Sequence, residues 1–135
     1  MSVPSYKRNE SKIEYVYQSY NLVQFIANIC TNKFSKKYTF YGVNKAYEFA
    51  SKICECCVFA NLTDVNKDYE KRLSYLQDAK KYLKCLSMQM NLISHYENKV
   101  TDNQWIKFTN ETDKLEKLKN GVIKSDKSRQ ETLGV

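Results

Sequence analysis

Four of the five cysteines, Cys30, Cys54, Cys57 and Cys85, have a spacing that could serve metal chemistry. Cys54 and Cys57 stand one helical turn apart, and one thiol from each of two neighbouring helices would complete a tetrahedral thiolate set. The same positions fall on apolar stripes, where a free cysteine behaves as a small hydrophobe, so neither a metal nor a cofactor is expected. Cys56 lies off its stripe and is the thiol expected to be reactive or interfacial. An odd number of cysteines with three crowded on one segment is a poor disulfide framework, which points to free thiols in a reducing, cytoplasmic setting.

Catalytic parts are scarce. His95 is the single histidine, and the nearest upstream arginine, Arg72, lies several turns away. That excludes the short Arg-to-His spacing used on one helix by bundle ribonucleases of the HEPN type. There is no Gly-rich phosphate loop and no His/Glu pair of the di-iron kind. The expectation is a protein that is not an enzyme, with no catalytic residue.

Charge is the positive signal. The 135 residues carry 22 Lys+Arg against 15 Asp+Glu, a formal charge of +7. Lysine is a point charge suited to a phosphate backbone without reading bases. The excess gathers at a corner, Lys33, Lys36 and Lys37, interleaved with Phe34, Tyr38, Phe40 and Tyr41, and again at Lys71, Arg72, Lys80, Lys81 and Lys84, with Lys117 further on. These nine basic residues are the expected nucleic-acid contacts, to RNA and also to DNA or an RNA/DNA hybrid.

The elements that must position them are helices. Three Gly and one Pro, at position 4, leave almost no breakers. Residues 1–9 read as a mobile polar leader and Met1 to Ser11 as no export signal; no apolar run has membrane-spanning length, so no membrane partner is expected. The first helix is expected from about Glu10 to Thr31 with two apolar faces. Ile13, Val16, Tyr17, Tyr20, Val23, Ala27 and Cys30 mark one, and Tyr15, Leu22, Phe25, Ile26 and Ile29 mark the other. A helix apolar on both sides needs covering on both, which points to a homo-oligomer whose interface uses Leu22, Phe25, Ile26 and Ile29.

The second helix, about Phe40 to Asn61, has a core stripe Val43, Ala46, Tyr47, Ala50, Ile53, Cys54 and Cys57. Beside it runs a line spaced by sevens, Gly42, Phe49 and Cys56, which places Phe49 in the expected interface as well. After the turn-forming Asn61 to Asn66, a third helix of about Lys67 to Tyr96 buries Tyr69, Leu73, Leu76, Leu83, Leu86, Met90 and Ile93. Thr101-Asp102-Asn103-Gln104 reads as a capping box with Val100 as the staple. It opens a fourth helix, about Asp102 to Lys124, with a seam at Trp105, Phe108, Thr112, Leu115, Leu118 and Val122 and with Lys107, Lys114, Lys117, Lys119 and Lys124 off it. Residues 125–135 read as a disordered polar tail. Residues 10–124 then form one all-α domain, and the short loops imply an antiparallel up-down-up-down four-helix bundle.

The run Phe34-Ser35-Lys36, the pair Phe40-Tyr41, then Gly42 opening a long helix resembles the turn between the first two helices of the accessory variability determinants of diversity-generating retroelements. Val100 to Ile123, with its Thr-capped turn, Trp105 and Leu-spaced helix ending in Asn120-Gly121, resembles that family's last helix. Ser35 stands where the family usually has Pro, and the Gly-Gly-Trp ending is absent. The resemblance implies a ring-like homopentamer that binds a reverse transcriptase and its template RNA or cDNA through a basic surface and supports mutagenic cDNA synthesis. The alternatives are an RNA-binding role of the type of the related 23S rRNA intervening-sequence proteins, or a HEPN-like bundle ribonuclease or toxin–antitoxin partner.

Overall fold

The computed structural model describes residues 13–38, 42–97 and 99–133, without the side chains of Tyr38 and Leu133. They form four helices: α1 Glu14–Lys33, α2 Asn44–Leu62, α3 Tyr69–Tyr96 and α4 Asp102–Leu133, with a single 3-10 turn, Lys36–Tyr38, between α1 and α2. There is no strand among the described residues. Each helix packs on its neighbours in sequence and α4 returns to α1, which closes a four-helix bundle around one core. Among these seams, α3 against α4 is the sparsest and α2 against α3 the richest. The leader expected at residues 1–9 lies outside the described residues.

The helix ends follow local chemistry. The backbone N–H of Gln104 donates to Thr101 Oγ1 at 3.2 Å while the Thr101 N–H donates to Gln104 Oε1 at 2.9 Å, the reciprocal capping box expected at the start of α4. Val100 is buried beside it. At the end of α2, Thr63 Oγ1 donates back to the Phe59 carbonyl at 2.7 Å. Asp64 Oδ1 then accepts from the Asn66 N–H at 2.8 Å, an Asx turn in the link between α2 and α3.

The core corrects three expectations. On α1 the faces are exchanged: Tyr15, Leu22, Ile26 and Ile29 are buried within the single chain, whereas Tyr17 and Tyr20 are 55% and 54% exposed. Leu22, Ile26 and Ile29 are therefore core residues and not an interface between subunits, and Phe25 is half-buried against the same core. Both stripes have helical period, so periodicity alone leaves their assignment open. Packing resolves it, and Gln18 and Ser19 on the buried Tyr15 side are hydrogen-bonded to Glu111 and to the Val16 carbonyl.

The line spaced by sevens on α2 also faces inward. A Cβ on Gly42 would lie 2.6 Å from Gln89 Nε2 and 3.2 Å from Ile93 Cγ1. Gln89 Nε2 uses that space to donate to the Gly42 carbonyl at 3.1 Å, so the close approach that glycine permits is to α3 of the same chain. Phe49 is half-buried with its ring 6.3 Å from that of Tyr82, and Cys56 is buried. Tyr47, expected in the core, is exposed, and Ala60 takes a buried place instead.

The third correction concerns the C-terminal segment. α4 runs nine residues past Lys124 to Leu133, so residues 125–133 are helical and not a disordered tail. Two contacts hold them: Asp126 accepts from Arg72 Nε at 2.6 Å, and Gln130 Nε2 donates to the Val65 carbonyl at 2.9 Å. Lys119, expected off the seam, is 1% exposed, with its ammonium 2.6 Å from Glu116 Oε1. That contact has ion-pair distance without the alignment of a hydrogen bond, since the same oxygen lacks a hydrogen-bond partner.

Candidate nucleic-acid interface

At the corner, Ser35 ties the chain to the end of α3. Its backbone N–H donates to Glu97 Oε2 at 2.9 Å and its hydroxyl to Oε1 at 2.8 Å. These two bonds, first the backbone one, hold the Glu97 carboxyl below its ordinary pKa, and the charges of Lys99 and Lys37 act in the same direction. Lys36 and Lys37 are exposed on the 3-10 turn, and Lys33 closes α1 beside Lys99 in a polar depression. Phe34, expected among rings able to stack, is buried and plugs this end of the bundle. Phe40 and Tyr41 lie outside the described residues, as does the side chain of Tyr38.

Along α3, Lys71, Lys80, Lys81 and Lys84 are exposed as expected. Lys81 has Asp78 at 3.7 Å, an exposed pair of little energetic weight. Lys80 and Lys84 line a groove of about 470 Å³ between α3 and α4, together with the apolar Leu83 and Met88 and with Asp113 and Glu116 of α4. Arg72 departs from expectation. Its side chain is 13% exposed, its Nε donates to Asp126, and its Nη1 donates to the carbonyls of Ala60 at 3.0 Å and Thr63 at 3.4 Å. It holds three elements together and does not present a free cationic surface. Lys117 is exposed near Arg129 at this same end.

The basic positions therefore extend along the bundle. Lys71 and Tyr96, the residue before Glu97, are 25 residues apart on α3, about 38 Å at 1.5 Å per residue. Among the described residues Lys36, Lys71, Lys80, Lys84 and Lys117 have no ion pair, so their charge is not neutralised within the chain.

One polar surface was not anticipated. Gln18, Asn21, Gln24 and Asn28 recur at helical spacing on α1 and face Lys107, Glu111 and Lys114 of α4 across a groove of about 320 Å³. Gln18 Nε2 donates to the carboxylate and backbone carbonyl of Glu111, and the Lys107 ammonium lies 5.2 Å over the Phe25 ring. Amides that donate and accept beside lysines suit sugar and phosphate contacts. In the sequence these amides stand at steps of three, three and four, a helical face with no charge of its own to mark it.

Three of the five thiols, Cys30, Cys56 and Cys57, are desolvated by burial. Burial pushes Cys30 and Cys56 up to about 11 and Cys57 up to about 12, with neighbouring Lys119 opposing the rise at the latter two. Cys56 is thus a buried thiol and not the reactive one expected. Among the described residues no group of three or more His, Cys, Asp or Glu side chains is placed to hold a metal ion. His95 is exposed with its ring edge-on to Tyr96 at 5.9 Å. No helix among the described residues is long and apolar enough to cross a membrane.

No family model, curated protein or solved structure matches the chain. The resemblance to the accessory variability determinants rests on the residues that carry it.

Proposed function

We propose that this chain is a non-enzymatic accessory protein that binds RNA, or a cDNA hybrid, through backbone charge and presents it to a retroelement reverse transcriptase. The observation that carries the reading is the set of exposed lysines without ion pairs among the described residues, Lys36, Lys71, Lys80, Lys84 and Lys117, on a helical scaffold. Helical placement lowers the entropic cost of each phosphate contact, and lysine reads no base. The polymerase partner comes from the resemblance alone.

Within the same proposal the bundle is antiparallel, up-down-up-down. Three pairings support it: Cys30 at the end of α1 lies by Val43 at the entry to α2, Phe59 late in α2 lies by Tyr75 early in α3, and Arg72 early in α3 pairs with Asp126 late in α4. The resemblance adds a ring-like homopentamer. Its interface would use two exposed apolar surfaces in place of the one expected: Tyr17, Tyr20, Phe59 and Leu62 on α1 and α2, and Met88, Leu92 and Ile106 on α3 and α4. Met88 is 73% and Leu62 76% exposed. Two unlike surfaces joined head to tail generate a ring where the rotation closes.

The test is co-elution of the purified chain with the reverse transcriptase of its own source, with and without template RNA. A complex containing all three is expected. A chain that shifts neither polymerase nor RNA refutes the proposal.

A further inference from the structure

The extension of α4 that holds Arg72 also builds a cleft of about 490 Å³ against the α2–α3 turn. Its lining includes Arg72, Lys117 and Arg129 with one carboxylate, Asp126, so three cations against one anion leave a net charge of +2. Lys117 and Arg129 have no ion pair of their own among the described residues. Arg72 spends Nε on Asp126 and Nη1 on two carbonyls, which leaves the Nη2 donors of its five-donor fork. Its guanidinium is therefore fixed in place before any ligand arrives. Asn61 adds an amide on the turn side, and Gly121 lines the cleft where a Cβ would meet nothing within 4 Å.

We infer that this cleft binds a terminal phosphate group, a phosphomonoester, through Arg72, Lys117 and Arg129. Charge matching supports the assignment: a phosphomonoester carries about −1.5 to −2 at neutral pH and has three acceptor oxygens, whereas each backbone phosphodiester carries only one charge. Arginine forks fit such oxygens in pairs, and a preorganised guanidinium needs little ordering on binding. The inference goes beyond backbone binding, with which it shares Lys117, because it needs the end of a strand or a free nucleotide and not the run of phosphodiesters along α3.

The experiment is a titration of the full chain, followed by amide NMR shifts and by calorimetry. The probes are inorganic phosphate, adenosine monophosphate, and one oligonucleotide sequence prepared with a 5′-phosphate and with a 5′-hydroxyl. The 5′-phosphate should tighten binding about tenfold, the effect of roughly one charge-assisted hydrogen bond. Inorganic phosphate should compete, with shifts confined to amides around Gly121, Ser125 and Arg129. Binding of adenosine monophosphate without preference between the two oligonucleotides supports the cleft with a small nucleotide as its ligand. Lys117→Gln with Arg129→Gln should remove the preference for phosphate while thermal unfolding stays unchanged, since both side chains are exposed. Gly121→Phe should do the same by filling the cleft with no change of charge. Equal affinity for the two oligonucleotides together with no localised shift from phosphate or adenosine monophosphate at about 1 mM overturns the inference.

Discussion

Replacing Asp126 by alanine should destabilise the bundle far more than a substitution in a polar tail would. The carboxylate is 9% exposed and accepts from Arg72 Nε at 2.6 Å; its loss leaves a guanidinium that is 13% exposed without its counter-charge. Breaking a buried pair by removing one partner costs about 3 to 5 kcal/mol. Here the Ala60 and Thr63 carbonyls still accept from Nη1, so the lower end, about 3 kcal/mol, applies. With a urea slope of about 1.5 to 2 kcal/mol per molar, the midpoint should fall by about 1.5 to 2 M. Truncation after Lys124 should cost at least as much, because it also removes the Gln130 bond to Val65. The double variant Arg72→Met with Asp126→Leu should recover most of the loss, since apolar replacement of both partners leaves no stranded charge. A midpoint shift below about 0.3 M for Asp126→Ala, or a double variant as unstable as the single one, would refute the reasoning.

Two further outcomes follow from the core. Ile26→Ala should cost about 2 to 5 kcal/mol in urea melts at any protein concentration, whereas Tyr17→Ser with Tyr20→Ser should leave monomer stability nearly unchanged and weaken self-association in light scattering. Cys30, Cys56 and Cys57 should react slowly with a thiol reagent at pH 8, because Cys30 and Cys56 are pushed to about 11 and Cys57 to about 12 from an ordinary 9.0. Below about pH 8 these thiols are almost wholly neutral in both folded and unfolded chains and contribute no pH dependence. Above it the unfolded chain ionises first, so stability should fall as pH rises from 9.0 towards 11 to 12, as read by melts across that range.

The helices were legible because few breakers and a clear period leave little choice: the Thr101–Gln104 box marked the start of α4, and Leu76, Leu83, Leu86, Met90 and Ile93 read directly as the buried side of α3. What was not legible were choices between equivalent patterns. α1 carries two apolar stripes of the same period, and only packing decides that Leu22 and Ile26 go inside while Tyr20 stays out. Arg72 looked like one more surface cation, since a sequence does not show that Asp126, 54 residues later, comes to meet it. Residues 125–133 looked like a tail for the same reason: their few docking contacts are polar and distant in sequence. The amides of α1 carried no pattern associated with charge, yet they line a groove with Lys107 and Lys114.

The salt dependence of nucleic-acid affinity tests the central claim most directly. Two unrelated RNAs and a matched DNA would be titrated across ionic strength with the parent chain and with Lys80, Lys81 and Lys84 replaced by alanine. Backbone binding predicts a linear fall of log affinity with log salt, similar for all three nucleic acids. Removing three contacts should reduce the magnitude of that slope by about 2 to 3, at roughly 0.7 to 0.9 per phosphate, with the fold intact. An affinity indifferent to salt, or a slope unchanged by the three substitutions, would contradict the assignment of this surface to a phosphate backbone.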